Sequence, residues 1–168
     1  IRDASKVKFS THCVGGLFGA AAAASACFNL QREQINTMMS FTVQQASGLP
    51  YWNRDPDHVE KAFVFGGKGA RDGLYSAFFG RMKLTSPENP FTGERGFLPC
   101  FAEQPDASKL ITGLGEICEI SNASIKKWCV GSPIQSVLDA FEALSKKQKI
   151  TPETIEKITL TMPSDRLH

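Results

Sequence analysis

The sequence predicts an α+β fold, with helices over the first two-thirds of the chain followed by a strand–helix–strand run. Three observations carry this expectation. Apolar residues recur at spacings of three and four through the early segments. Near residue 115 the texture changes, and "EICEIS" alternates. Residues 155–163, "IEKITLTMP", alternate Ile155, Lys157, Thr159 and Thr161 with Glu156, Ile158, Leu160 and Met162, the last face apolar, the pattern of a half-buried strand.

In order, residues 17–29 read as a helix built on alanine, the residue with the best helix propensity. "LQREQINTMMSFTVQQASG" spaces Ile35, Met38, Met39, Thr42 and Val43 as one helix face and stops at Gly48, a C-cap glycine with Pro50 beyond. The stretch from Leu49 to Gly69 reads as irregular, with a short helical turn from Pro56. Residues 70–84 form a helix with Leu74, Ala77, Phe78 and Phe79 on its buried side, although Gly73 and Gly80 weaken it. A proline-rich connection follows, with little regular structure expected. Asp106 caps a short helix over 106–113. After the first strand, with "SIKKW" continuing or pairing with it, Pro133 opens a helix buried through Ile134, Val137, Leu138, Phe141 and Leu144.

Composition narrows the function. The 168 residues are 42% hydrophobic and 21% charged, a globular balance with room for one ordinary domain or two small ones. A net charge of +2 from scattered lysines and arginines argues against a nucleic-acid partner. The most apolar stretch, residues 14–28, falls short of the roughly 20 residues a bilayer needs, so no membrane partner is expected. The cysteines Cys13, Cys27, Cys100, Cys118 and Cys129 form no CxxC and are odd in number. They read as reduced, mostly buried thiols of an intracellular protein, with no metal site.

Several residues could carry chemistry. His12 precedes two glycines and a tightly packing helix, where an imidazole serves either as an acid–base group or as a structural contact. Lys61 stands beside Phe63 and Phe65, either snorkelling from an apolar surface or lining a pocket. "FGGKGARDG" lacks the Lys-Ser or Lys-Thr of a phosphate loop; with Lys68 and Arg71 it is a weak anion site or a flexible turn into a helix. Lys126 and Lys127 sit just ahead of a helix start, and on a strand they would point to opposite sides.

Taken in order, "THCVGGLFGAAAAA", "QQASGL", "DHVEKAFVFGGKGARDG", "GERGF", "IKKWCVGSPIQSVLDAFEAL" and "ITPETIEKITLTMPSD" resemble the MmgE/PrpD family. Its members include 2-methylcitrate dehydratase, cis-aconitate decarboxylase and iminodisuccinate epimerase. The resemblance implies that residues 1–114 are part of a large helical domain and that 115–168 begin a smaller α+β domain, with the active site in the cleft between them. It implies a longer chain, generally a homodimer, with a further Asp and His of the site lying before Ile1. It also implies a cofactor-independent lyase on a small di- or tricarboxylic acid, with an epimerase, a decarboxylase or a non-catalytic homologue as alternatives. The compartment expected is cytoplasmic, or else the mitochondrial matrix.

By the family's pattern His12, Lys61 and Lys126 are the catalytic positions; Lys68 and Arg71 of the glycine segment, and Lys127 and Gln135 near the second-domain lysine, are read as substrate-binding. The chain departs from that pattern in three places. His-Cys-Val replaces the usual His-Pro-Thr, Val64 stands where a histidine often follows the lysine, and Gln135 stands where many members have a histidine. These departures point to a divergent branch.

Overall fold

Alanine and glycine dominate the first helix, and that composition decides how its neighbours approach it. The computed structural model describes residues 9–161, and the chain divides into two units, the first ending at Leu114 and the second starting at Gly115. Each unit is described by itself.

In the first unit, α1 (Val14–Cys27) buries Leu17 and Ala21. Next comes α2 (Arg32–Gln45), opened by a reciprocal cap in which the Gln31 N–H donates to Gln34 Oε1 at 2.9 Å. It ends three residues before Gly48, with Ala46 as its C-cap, so Gly48 is not the helix stop that the sequence suggested. A 3-10 turn (Pro50–Arg54) leads to α3 (Val59–Ala62). A wide π turn over Phe63–Gly67 follows, and then α4 (Lys68–Arg81). The stretch expected to be irregular is therefore largely helical.

The glycines of α4 are its contact points. A Cβ on Gly73 would lie 2.5 Å from the Leu17 carbonyl oxygen, and one on Gly80 would lie 2.6 Å from that of Gln34. A Cβ on Gly69 would be less crowded but still tight, 3.0 Å from the Leu17 nitrogen and 3.1 Å from the Cys13 carbonyl oxygen. The buried side of α4 is thus Gly69, Asp72, Gly73, Ser76, Ala77 and Gly80, while Leu74 and Phe78 are exposed. Of the face expected from apolar spacing, Leu74 and Phe78 turn outward, while Ala77 is buried and Phe79 half-buried. Close backbone approach, rather than side-chain bulk, chose which side turns inward. Ala21, Leu30, Met38 and Ala77 form the core, with Phe28 and Met39 packed against it.

The proline-rich connection is more ordered than expected. It carries α5 (Phe97–Phe101), and Phe18 of α1 meets Phe91 and Phe97 at ring-centroid separations of 5.6 and 5.4 Å. Asp106 does cap a turn, accepting from the Ser108 N–H at 3.0 Å, but the turn is a 3-10 helix over Ala107–Leu110. Cys13 is buried, whereas Cys27, Cys100, Cys118 and Cys129 are exposed, so the expectation of mostly buried thiols fails.

In the second unit the one long element is α6 (Ser132–Lys147), with Pro133 in its first turn as expected. Among the described residues there is no strand, and the strand–helix–strand expectation is overturned. "EICEIS" ends in a 3-10 turn over Glu119–Asn122, and residues 124–128 and 155–161 run without a ladder. The physical reason is that alternation specifies which side chains share a face. A strand also needs a neighbouring backbone to complete its hydrogen bonds. Ile125, at 99% exposure, has no covered face to occupy.

Candidate functional site

The turn before α1 is tied down locally. The Ser10 N–H donates to the Gly48 carbonyl at 2.9 Å, and the Cys13 thiol reaches the Ser47 carbonyl at 3.4 Å. His12 is held between these ties and is itself exposed. Its imidazole stacks on Phe65, with centroids 4.3 Å apart and planes 13° from parallel, and meets Trp52 edge-on at 5.3 Å. Trp52 and Phe65 are in turn perpendicular to each other at 4.8 Å.

Lys61 joins the same pair of rings. Its ammonium lies 5.8 Å from the Trp52 ring centre and 5.6 Å from that of Phe65. The second contact follows from helical spacing, since residues four apart share a face. Cation–π attraction of this kind is worth about 0.5–1 kcal/mol at exposed sites. An imidazole and an ammonium from distant parts of the sequence are thus gathered on one aromatic step. Sequence reasoning named His12 and Lys61, and set Phe65 beside the lysine, but missed Ser10, Trp52 and the stacking of His12 on Phe65. The only available signal was the aromatic pair in "LPYWN" and the phenylalanines flanking Lys61.

The basic-glycine segment is arranged differently from an anion site. Lys68 Nζ is 2.9 Å from Asp72 Oδ2 and also donates to the Gln45 carbonyl at 3.3 Å. Arg71 contacts Asp72 Oδ1 at 2.7 Å through both Nε and a terminal nitrogen. Burial alone would push the Asp72 carboxyl up, but hydrogen bonds from Lys68 and Arg71 more than offset it and hold it below its ordinary value. Gln45 completes the network by donating to the Ser76 hydroxyl at 2.7 Å. Both cations are therefore engaged by a buried carboxylate of their own helix, while Lys68 and the Gln45 side chain tie α4 to the end of α2.

In the second unit Lys127 donates to Glu142 at 2.6 Å and to Asp139 at 3.3 Å, and the Glu142 contact raises its pKa above the ordinary lysine value. The Trp128 indole N–H also donates to Asp139, at 3.0 Å, and lowers that carboxyl's pKa. Gln135 clasps the preceding loop, accepting from the Trp128 N–H at 3.1 Å and donating to the carbonyls of Trp128 and Val130 at 2.8 and 3.1 Å. Lys126, also in this unit, makes no ion pair among the described residues. A hollow of about 820 Å³ between α6 and residues 150–161 holds none of the predicted site residues. No group of histidine, cysteine and carboxylate side chains among the described residues could hold a metal ion. No helix among them is long and apolar enough to cross a membrane.

These features define a helical domain that displays a basic cluster on aromatic rings. The MmgE/PrpD N-terminal domain matches residues 2–110, and the chain belongs to the MmgE/PrpD family. Comparison with curated proteins and with solved structures gives no significant match.

Proposed function

We propose that the protein is a cofactor-independent lyase, a dehydratase acting on a small di- or tricarboxylic acid. In this reading Lys61 pairs with a substrate carboxylate and His12 handles the proton exchanged as the leaving group departs. The observation that carries the reading is that Phe65 and Trp52 hold both groups at once, His12 by stacking and Lys61 by cation–π contact. Aromatic surroundings leave an ammonium less hydrated than open water does, which strengthens its attraction to a carboxylate. Membership of a family that contains dehydratases and other lyases supports the reaction class.

The test is to incubate the protein with a panel of di- and tricarboxylates and follow the appearance of unsaturated products. His12→Gln is expected to lower kcat about 10²-fold or more, the ordinary contribution of a positioned proton-transfer group. Lys61→Met is expected to act mainly through KM. Lys126→Met belongs in the same assay, because the family pattern carries that position over. No unsaturated product from any substrate would overturn the reading. Carbon dioxide release would replace it with a decarboxylase, and solvent deuterium in recovered substrate without elimination would replace it with an epimerase.

A further inference from the structure

Ser10 is 4% exposed and carries a hydroxyl with one proton to place. The Trp52 Nε1–H, which can only donate, gives its hydrogen to Ser10 Oγ at 3.2 Å. Among the described residues, the other partner of that oxygen is His12 Nδ1, 3.3 Å away. A buried hydroxyl without an acceptor is costly, and the indole cannot accept. The Ser10 proton therefore points to Nδ1, which must then be the unprotonated nitrogen of the neutral ring.

We propose that Trp52 and Ser10 form a hydrogen-bond relay that fixes neutral His12 as the tautomer carrying its proton on Nε2. The free edge of the imidazole then meets a ligand as a donor. Stacking on Phe65 and the edge contact with Trp52 oppose a ring flip that would exchange the two nitrogens. Ser10 and Trp52 are positioning residues, acting through His12. The Nε2–H and the Lys61 ammonium, each held on the Trp52 and Phe65 rings, are donors of the kind an oxygen-rich anion such as a carboxylate takes. The ligand assignment rests on the lyase reading above, whereas the relay does not. Within that reading, His12 makes its first contact with a substrate oxygen rather than with a C–H bond.

The experiment is long-range proton–nitrogen correlation NMR on protein with isotope-labelled histidine, at about pH 8.5, above the ordinary imidazole range. His12→Gln identifies the signal. The Nε2–H pattern is expected for His12, with a mixture of tautomers in Ser10→Ala and recovery of the single pattern in Ser10→Thr, which keeps the hydroxyl. Trp52→Phe removes the donor that orients the Ser10 hydroxyl, leaving it free to turn its proton into the space the indole vacates and to accept from Nδ1–H; a mixture of tautomers is expected there too, and this variant serves if Ser10→Ala does not fold. An Nδ1–H pattern in the unsubstituted protein, or an unchanged Nε2–H pattern in Ser10→Ala or Trp52→Phe, overturns the relay. No substrate enters this measurement, so its outcome is separate from the turnover assay. Turnover with an Nδ1–H pattern would remove the relay alone, and an Nε2–H pattern without turnover would remove the lyase alone.

Discussion

Asp72 illustrates how a single carboxylate redefines the residues around it. Its side chain is 6% exposed and is met by Lys68, Arg71 and, through its own carbonyl, Gln45. Because its pKa is lowered in the folded chain, its stabilising contribution is complete above the ordinary aspartate range. It is lost as pH falls through the lowered native value. Asp72→Asn is expected to cost about 2 kcal/mol near neutrality, the loss of charge-assisted hydrogen bonds. Urea unfolding at a series of pH values should show the gap between the two proteins closing toward acid; a gap that stays constant would mean the ion pairs contribute nothing. The same residue explains a limit of sequence reading. Lys68 and Arg71 show their charge in the sequence but not their partner, because partnership depends on which face of the helix is buried. Lys127 and Gln135 were obscured by sequence distance, the partners of Lys127 lying 12 and 15 residues on and that of Gln135 7 residues back. His12 and Lys61 were legible because an isolated imidazole and a lysine among phenylalanines stand out by type.

At the scale of elements, the long helices were readable; the inward face of α2 was largely legible and that of α4 was not. Apolar period finds a helix, but α4 turns inward the side that has the fewest atoms. Gly73→Ala adds a methyl 2.5 Å from a backbone oxygen and 2.7 Å from Ala20 Cβ. Overpacking of this kind costs about 3 kcal/mol, more than the roughly 1 kcal/mol of helix propensity that alanine supplies. Gly19→Ala in α1, where a Cβ would meet nothing within 4 Å, should instead stabilise the protein by up to about 1 kcal/mol. Thermal or denaturant unfolding of the two variants should therefore move in opposite directions, and movement in the same direction would refute the close-approach account. The missing strands have a different cause. Pairing is a property of two backbones, and alternation within one of them does not supply the second.

Over the whole chain, the two units differ in how much they bury. The first has a core of Ala21, Leu30, Met38 and Ala77, whereas in the second Ile134, Phe141, Leu144, Ile158 and Leu160 remain exposed. Hydrogen exchange should accordingly be slow in α1, α2 and α4 and faster across residues 115–161, since protection follows buried packing. Equal protection in residues 155–161 and α4 would contradict this. Family membership was legible from the order of short segments. The helical character of residues 59–67 was hidden, because glycine and adjacent aromatics give no clean period across a π turn.

The close meeting of α1 and α4 has one more effect. Gly69 touches the first turn of α1, just beyond His12, and just before Gly69 the chain carries Phe65 and Lys61. The spacing of the imidazole from its aromatic neighbour is inherited from main chain resting on main chain, with no adjustable side chain between. Drift elsewhere in the interior should leave that spacing intact. The weak points of the constellation are Gly69 and Gly73, two places where nothing projects at all.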